Sequence, residues 1–379
     1  MTDTASPHTI LAVRLADIGD AVLATPALAA LRDAYPDARI DVLTTPVGAQ
    51  VFALCPVVDH IIPFPKQLFD RPSGLLRPAA ACAALRLASR LRAGRYDAAV
   101  LLHHLTTPAG TLKFRALAAA TAAPNRVGLD NGRGDFLTHR ATDYGFGARS
   151  ELAYALDVVA ALGIPAPAIR PPLVVPAEAR LRADRILAEI GVREPFVIIH
   201  PSVGAYSQAR GWPPERFAVV ARELARRHGL DVVLVGGGDA RDAAAEVSAN
   251  APGAHDLTGS TTLAETAAVL DRAALVIGAD SGIAHLAAAM KTPVIAIFGP
   301  SNAAAWAPFE AVEYRVGAAA FPEAETVVVR TGIPCSPCFY TGYTLGRPEG
   351  CSTRTCLTGV TPTTILTLAD HLLERAAAG

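Results

Sequence analysis

The chain alternates short apolar runs with longer stretches rich in alanine and leucine. In the first half, the apolar runs predict strands over Ile10–Leu15, Arg39–Thr44, His60–Phe64, Ala98–His103 and Arg126–Leu129. The stretches between them predict helices over Ala21–Ala34, Leu75–Ala93 and Gly110–Ala120. Nearly continuous apolar strands that alternate with helices are typical of a parallel sheet covered on both faces.

A proline-rich segment, Gly163–Pro176, follows a predicted helix over Glu151–Leu162. Because proline disrupts helices and strand ladders, this segment is interpreted as a linker. The alternation then restarts, and the predicted strands are Phe196–His200, Asp231–Gly236, Leu275–Ala279 and Val294–Phe298. The last predicted helix is Thr363–Ala377.

This pattern predicts two doubly wound, Rossmann-like α/β domains with parallel sheets. We expect the first domain over 1–170 and the second over 171–362, with a cysteine-rich loop over 334–357. A helix over 363–379 is expected to pack back toward the first domain. Ligands of open α/β sheets bind beyond the carboxyl ends of the strands, so the expected site is a cleft between two facing domains.

Composition narrows the class of protein. Of 379 residues, 51% are hydrophobic, yet no apolar run reaches the length of a membrane-spanning helix. The first ten residues do not resemble a secretory signal, so we expect a cytoplasmic protein, either free or peripheral to the inner membrane. A formal net charge of −1 argues against a nucleic-acid partner bound through a global basic field. Cys55 and Cys82 are isolated in apolar sequence and are predicted to be buried.

Asp20 is the candidate for proton transfer in the first domain. It lies at the start of the helix that follows the first strand, and Gly19 allows a tight turn before it. One interpretation is a helix N-cap, and the other is a general base that faces the cleft. The turn lacks the Gly-x-Gly-x-x-Gly pattern, which weakens a dehydrogenase interpretation.

Polar residues follow four predicted strands of the second domain. These strand ends carry hydroxyls, an arginine, glycine turns and a helix start, a combination that is suited to binding a nucleoside diphosphate. Each turn taken alone is also explained as an ordinary loop. The candidate nucleotide-binding residues at these strand ends are Ser202, Gln208, Arg210, Gly238, Asp239, Asp280, Ser281, Gly282, His285 and Ser301.

Taken together, these motifs resemble glycosyltransferase family 9, the ADP-heptose:lipopolysaccharide heptosyltransferases. The resemblance covers almost the whole chain. The matching stretches are Asp17–Asp20 with Thr25–Leu28, Arg126–Gly128 with Gly134–Arg140, His200–Pro201, Arg210 before Trp212–Pro213, Ala279–Leu286 and Phe298–Ser301.

The resemblance implies a GT-B fold and an inverting reaction that needs no metal for catalysis. It implies an acceptor on the first domain and ADP-L-glycero-β-D-manno-heptose on the second. By resemblance Asp20 is the base, and Arg210 contacts the diphosphate where family members often have lysine. The other residues implied on the donor side are Asp280, Gly282, Ile283 and His285, and those on the acceptor side are Asp17, Gly19, Arg126 and Arg133.

Alternatives to a lipopolysaccharide-core acceptor stay open. A family member acting on a protein or a natural product has the same motifs. A two-lobed protein that binds a nucleotide sugar without turnover belongs to another class, as does a nucleotide-sugar epimerase of related architecture. The expected partners are an ADP-sugar and a glycolipid or other glycan, with no nucleic acid. Four arginines gather around the end of the third predicted helix. They indicate either a solvated helix face or attraction to an anionic surface, and they are Arg86, Arg90, Arg92 and Arg95.

Four cysteines cluster near the end of the second domain, at Cys335, Cys338, Cys351 and Cys356. Their spacing is compatible with a tetrahedral thiolate site. In the autotransporter branch of the resembled family, a cysteine cluster holds iron structurally. The two predictions are a structural zinc or iron ion, or free or disulfide-bonded cysteines.

Overall fold

The computed structural model describes residues 7–64, 78–204 and 207–378. The chain divides into two compact units, Met1–Leu173 and Val174–Gly379. The division falls inside the proline-rich segment that the sequence indicated as a linker. Within the described residues, no helix is long and apolar enough to span a membrane.

The first unit contains a six-stranded, fully parallel sheet with the strand order β3-β2-β1-β4-β5-β6. Its strands are β1 Thr9–Arg14, β2 Arg39–Thr44, β3 His60–Pro63, β4 Ala98–Leu101, β5 Asn125–Asp130 and β6 His139–Thr142. The sequence analysis missed β6. Only one of its four residues, Ala141, is buried, so it lacks the apolar run that marked the other strands.

Helices cover this sheet and account for the apolar stretches between strands. They are α1 Ile18–Ala34, α2 Pro46–Phe52, α3 Pro78–Ala93, α4 Pro108–Thr121 and α5 Glu151–Ala160. The predicted start of the third helix, at Leu75, lies outside the described residues. Prediction of a buried Cys82 was wrong: α3 buries only Ala80 and Leu91, and Cys82 is exposed. Cys55 is buried, and burial raises the pKa of its thiol to about 12.

The second unit contains a seven-stranded parallel sheet with the order β12-β13-β11-β10-β7-β8-β9. Its strands are β7 Phe196–His200, β8 Asp231–Leu234, β9 Ala254–Asp256, β10 Leu275–Ala279, β11 Val294–Ile297, β12 Val312–Arg315 and β13 Thr326–Arg330. The sequence analysis did not predict β9, β12 or β13. The first two bury little, whereas β13 is buried throughout and was overlooked.

The helices of the second unit pack on both faces of its sheet. They are α6 Ala177–Glu189, α7 Pro214–His228, α8 Arg241–Asn250, α9 Leu263–Leu270, α10 Gly282–Ala289, α11 Ala303–Trp306, α12 Thr355–Thr358 and α13 Pro362–Ala378. Buried side chains of α13, including Ile365, Leu368 and Leu372, join the core beneath β7 and β10. The last helix therefore belongs to the hydrophobic core of its own unit.

Each sheet reverses its strand order at one place. In the first unit the sheet grows from β1 toward β2 on one side and toward β4 on the other. In the second unit it grows from β7 toward β8 on one side and toward β10 on the other. At such a switch point the loops leave the carboxyl ends of neighbouring strands toward opposite faces and leave a crevice between them. The polar residues described next lie at these two places.

Candidate active site

Arg14 organises the switch point of the first unit. It is the last residue of β1, and its guanidinium is buried. One nitrogen, Nη1, donates to the carbonyl of Leu102, just beyond β4. The other, Nη2, lies 3.2 Å from a carboxylate oxygen of Glu151 and 3.2 Å from Oδ1 of Asp20. The arginine thus links the two central strands to two carboxylates.

Asp20 occupies the first turn of α1, and the alternative that made it the N-cap was wrong. The helix begins at Ile18, three residues before the predicted start, and Asp17 takes the N-cap position without a side-chain capping bond. The carboxylate of Asp20 instead pairs with Arg14, and 30% of the side chain is exposed. A carboxylate that is oriented by a cation and still reaches solvent is suited to accept a proton from a bound ligand.

A buried charge network lies behind this pair. His104 places Nδ1 3.0 Å from Asp143 and Nε2 2.8 Å from Glu151. Burial lowers the pKa of His104, but the hydrogen bonds to the two carboxylates outweigh it and raise the pKa to about 9. The carboxyls of Asp143 and Glu151 have lowered pKa values, because their bonds to His104 outweigh the opposing effect of burial. His104 is therefore a cation at neutral pH.

The neighbouring His103 is in the opposite state. Its Nε2 accepts the backbone N–H of Leu15 at 2.6 Å, and its ring stacks on Phe114. Burial, followed by the charges of Arg14 and Lys113, holds the pKa of His103 well below its usual value. A neutral His103 fixes the first residue after β1. Sequence analysis missed both histidines; the pair directly after a buried strand was the available signal.

The predicted acceptor-side residues divide into two groups. Asp17 and Gly19 flank the start of α1, beside Asp20. Arg133 donates to the carbonyls of Leu105 and Thr106, in the loop that carries His104. All of these therefore lie near the carboxyl edge of the sheet.

Arg126 lies elsewhere. It pairs in register with Ala99, which pairs with Leu11, three positions before the end of β1. This separation is about 10 Å along the strands. Its guanidinium donates to the carbonyls of Phe136 and Ala123, at 2.8 and 3.0 Å. The structure thus does not bring Arg126 together with Asp20.

The switch point of the second unit has its own buried arginine. Arg210 belongs to a 3-10 turn, Gln208–Arg210, which Ser207 caps. Its Nη1 lies 3.3 Å from Oδ2 of Asp280, the residue after β10. The two side chains are 14% and 6% exposed. Nε of Arg210 has no hydrogen-bond partner among the described residues, so the guanidinium retains a donor for a ligand.

A helix start with unused hydroxyls completes this edge. Ser281 is the N-cap of α10 but makes no capping bond, and Gly282 and Ile283 are the first helical residues. The hydroxyls of Ser281 and Ser301 are buried without a hydrogen-bond partner in the described part of the chain. His285 is buried one turn into the helix. Backbone amides at a helix start and buried hydroxyl donors favour a bound anion.

His200 is the buried last residue of β7, at the same edge of the sheet. Its Nδ1 donates to the carbonyl of Val235 at 2.8 Å, and burial lowers the pKa of the imidazole, so the ring is neutral. Gly236 has a φ of +155° and lies so close to the ring that an added Cβ would approach it to 3.1 Å. Glycine at this position therefore allows β7 and β8 to end beside one another.

A cavity of about 620 Å³ adjoins the end of β7. Three of the predicted donor residues line it, namely Ser202, Gln208 and Asp239. Gly238 lies beside them, in the 3-10 turn that contains Asp239. The sequence analysis did not single out Asp242 or Arg354, which also line the cavity. The predicted donor residues thus form one group around the cavity and another around Arg210 and α10.

The four clustered cysteines are free thiols; Cys356 is buried and the other three are exposed. Burial raises the pKa of Cys338, and nearby Cys351 and Cys335 raise it further. Burial and the same neighbours raise the pKa of Cys356 to about 11. The cysteines are therefore close enough to interact electrostatically. Among the described residues, however, no three metal-ligating side chains are grouped as a metal site requires.

The network around His104 predicts a specific pH dependence of stability. Because the folded pKa of His104 is raised to about 9, its contribution is complete below the unfolded value near 6.5 and is lost as pH rises through 9. His104→Gln should lower the melting temperature at pH 6.5 by on the order of 5 °C and by less at pH 10. Differential scanning calorimetry of both proteins from pH 6 to 10 measures this; an equal deficit at every pH contradicts a charged His104.

Comparison with known proteins identifies the family. The model of glycosyltransferase family 9 (heptosyltransferase) matches residues 84–334. Lipopolysaccharide heptosyltransferase 3 of Escherichia coli (strain K12) is 30% identical over 307 residues, which cover 77% of this chain and 82% of that protein. Lipopolysaccharide heptosyltransferase 2 of Salmonella typhimurium is 27% identical over 315 residues, with coverage of 77% and 83%.

A solved structure shows the same fold. The structure of E. coli ADP-heptose lps heptosyltransferase II has a TM-score of 0.70 to this chain, at 21% sequence identity. The match covers 97% of this chain and 99% of that one. Two parallel-sheet α/β domains of this kind constitute the GT-B class. The chain therefore belongs to glycosyltransferase family 9 and is a glycosyltransferase.

Proposed function

We propose that the protein transfers heptose, with inversion, from ADP-L-glycero-β-D-manno-heptose to a lipopolysaccharide-core or related acceptor. The observation that carries this proposal is the carboxylate of Asp20, held by Arg14 at the switch point of the first unit and 30% exposed. The names of the relatives supply the substrate classes: they are lipopolysaccharide heptosyltransferases, and one solved structure is an ADP-heptose enzyme.

In the proposed reaction Asp20 accepts the proton of an acceptor hydroxyl while the hydroxyl oxygen attacks the anomeric carbon of heptose. The new glycosidic bond forms as the bond from that carbon to the diphosphate breaks, and ADP departs with the bonding electrons. Attack on the face opposite the leaving group inverts the anomeric configuration. General-base assistance of this kind typically contributes ~10²–10⁴-fold to a rate.

The donor side of the proposal uses the second unit. Negative charge grows on the diphosphate as ADP leaves, and Arg210, the amides at the start of α10 and the hydroxyls of Ser281 and Ser301 are donors for it. Asp280 pairs with Arg210, so a diphosphate that binds Arg210 competes with this carboxylate. Once the diphosphate binds Arg210, the carboxylate of Asp280 is available to accept hydrogen bonds from hydroxyls of the sugar.

We assign the nucleoside to the cavity beside β7. Its volume of about 620 Å³ lies within the ~300–1,000 Å³ common for ligand sites. The carboxylates of Asp239 and Asp242 at its wall are suitable acceptors for ribose hydroxyls. Gln208 reaches the cavity from the same turn as Arg210, which connects the nucleoside and diphosphate parts of the proposed donor site.

The acceptor proposal includes a cytoplasmic location at the inner-membrane surface. A lipopolysaccharide core is a phosphorylated glycolipid, and an anionic surface attracts clustered basic residues. Arg86, Arg90 and Arg92 are exposed on α3, and Arg95 is exposed just after it. They supply a basic face on the same unit as Asp20.

One prediction of the proposed function concerns the base. Asp20→Asn keeps the shape of the side chain but cannot accept the proton, so acceptor-dependent ADP release should fall by about 10²–10⁴-fold. The assay contains purified protein, ADP-heptose and truncated lipopolysaccharide. Asp33→Asn is the matched control, because Asp33 is an exposed aspartate in the last turn of the same helix; its rate should equal that of the wild type.

Each other outcome has a distinct meaning. Binding of ADP-heptose without ADP release indicates another acceptor, such as a protein or natural product. Binding without turnover on any acceptor supports a nucleotide-sugar-binding protein. Absence of binding contradicts the proposed donor. Full activity of a folded Asp20→Asn variant removes Asp20 from the base role.

A second prediction concerns the arginine fork. Arg210→Lys keeps the charge but loses paired donation, so kcat/KM for ADP-heptose should fall by roughly 10-fold; Arg210→Gln should lower it by roughly 100-fold. Arg222→Gln removes an exposed arginine of α7, in the same unit, and should have no effect. Steady-state kinetics at saturating acceptor measure these ratios. Equal values for all three variants contradict diphosphate binding by Arg210.

The cysteine cluster remains the proposed place for a structural zinc or iron ion, and no catalytic step involves it. Its support is the sequence spacing and the electrostatic proximity of the thiols, whereas the described geometry does not form a metal site. One equivalent of zinc or iron per chain is expected by plasma mass spectrometry and should be absent from a Cys335→Ser/Cys338→Ser variant. Less than a tenth of an equivalent in the wild type refutes the ion; Cys82→Ser is the control.

A further inference from the structure

A continuous line of charged groups connects Asp20 to the interior of the first unit. It runs from Asp20 to Arg14, then to Glu151, His104 and Asp143, with separations of 3.2, 3.2, 2.8 and 3.0 Å. The five residues come from distant parts of the sequence. One ends β1, two follow β4 and β6, and two belong to α1 and α5.

Every member of this line after Asp20 is buried. The side chain of Asp20 is 30% exposed, whereas those of Arg14, Glu151, His104 and Asp143 are 7%, 3%, 6% and 0% exposed. With His104 protonated, two cations face three carboxylates. The network therefore carries one net negative charge. Asp20 is its partly exposed member, so water can solvate this charge there.

Glu151 connects the two cations of the network. Its Oε2 accepts from Arg14 and its Oε1 accepts from His104. The residue is the first of α5, whose N-cap Ser150 accepts the N–H of Ala153. The helix start therefore fixes the backbone of Glu151, and His104 fixes its carboxylate, so the orientation of Arg14 is determined from two sides.

His104 is itself fixed on every side. Asp143 accepts from its second ring nitrogen and also accepts from Asn131 and from the backbone N–H of Gly145. The ring of His104 lies 4.5 Å from that of Phe146 and 4.8 Å from that of Tyr154, measured between centroids. This leaves the histidine in one orientation, with one ring nitrogen directed at Glu151.

We infer that Glu151, held by His104, is a positioning residue that acts through Arg14 to orient the carboxylate of Asp20 toward the acceptor hydroxyl. The inference rests on the proposed role of Asp20 as the base. Stability alone does not account for the network, because replacing buried ion pairs by well-packed apolar groups is often neutral or stabilising. A rigid base has a defined benefit, since a misplacement of about 1 Å can cost ~10²-fold in rate.

Glu151→Gln tests the inference with little change of shape. Arg14 and His104 bind different oxygens of Glu151, and the amide replaces one of these oxygens with an NH2 donor, so one of the two cations loses its acceptor. The expected kcat is roughly 10- to 100-fold below that of the wild type, because Arg14 loses its second carboxylate. The KM for ADP-heptose should stay within about threefold, because the predicted donor residues belong to the second unit.

Asp41→Asn is the matched control. Asp41 is a buried carboxylate of β2 in the same unit, and it accepts from Tyr96 at 2.7 Å and contacts His60 at 3.0 Å. Its loss should lower the melting temperature as much as Glu151→Gln does, while kcat stays at the wild-type value. If both variants lower kcat equally, the effect is general destabilisation and the inference is wrong.

A double variant shows whether Glu151 acts through Asp20. In an Asp20→Asn background, Glu151→Gln should have no further effect on the residual rate, because the group being oriented is already gone. Multiplicative losses overturn the inference, as does a wild-type kcat for Glu151→Gln alone. If Glu151→Gln does not fold, Glu151→Asp serves instead: it keeps the charge on a shorter side chain and should retain an intermediate kcat.

Failure of the proposed function is distinguished from failure of this inference. If Asp20→Asn is inactive and Glu151→Gln is fully active, the base assignment stands and the positioning role falls. If the wild type transfers no heptose to any acceptor, crystal structures of the wild type and Glu151→Gln decide without substrate. The contact between Arg14 Nη2 and Asp20 Oδ1, 3.2 Å here, should lengthen beyond 4.0 Å, the limit of an ion pair; an unchanged contact overturns the inference.

Discussion

Parallel pairing of the central strands is the constraint on which both candidate sites depend. β1 pairs with β4, and β7 with β10, in parallel, so that the carboxyl ends of each pair lie side by side. Since the chain leaves these ends toward opposite faces of the sheet, backbone atoms do not fill the space between them. Side chains from the following loops occupy it, and a polar side chain there has neighbours from both halves of the sheet.

Each unit places a buried arginine beside an aspartate at this point, with different consequences. Arg14 has a second carboxylate, Glu151, and a backbone acceptor, so both of its terminal nitrogens are engaged, while Asp20 stays partly exposed. Its Nε, like that of Arg210, has no hydrogen-bond partner among the described residues. Arg210 pairs with the buried Asp280 and retains an unpartnered Nε among the described residues. In the proposed function, the same pair of residue types offers a carboxylate to the acceptor in one unit and a guanidinium to the donor in the other.

The strands that the sequence predicted well are those buried on both faces. β2, β7 and β10 have the predicted bounds, because each is a short, mostly apolar run that ends at or just before a polar residue. Edge strands such as β9 and β12 bury too few residues to be recognised, and exposed alanines and leucines of α3 resembled core residues. In a protein this rich in alanine, an apolar pattern is weak evidence of burial.

In the candidate sites, groups that are consecutive in sequence were predictable, whereas groups that are far apart in sequence were not. Strand ends with glycine and hydroxyl residues indicated Ser281 and its neighbours, because those groups are consecutive in sequence. The network around His104 was not predictable, since Arg14 and Glu151 are 137 residues apart and no spacing connects them. Only the strand order brings β1, β4 and α5 together.

The position of Asp20 within its helix matters more than its distance from the first strand. An N-cap aspartate accepts backbone N–H groups two or three residues later, and its carboxylate is then committed to the helix. Asp17 occupies that position, so Asp20 lies in the first turn with its carboxylate directed to Arg14. The three-residue difference between the predicted and observed helix start thus decides what this carboxylate does. As a cap it would hold the helix; in the first turn, oriented by a buried arginine and partly exposed, it remains able to accept a proton.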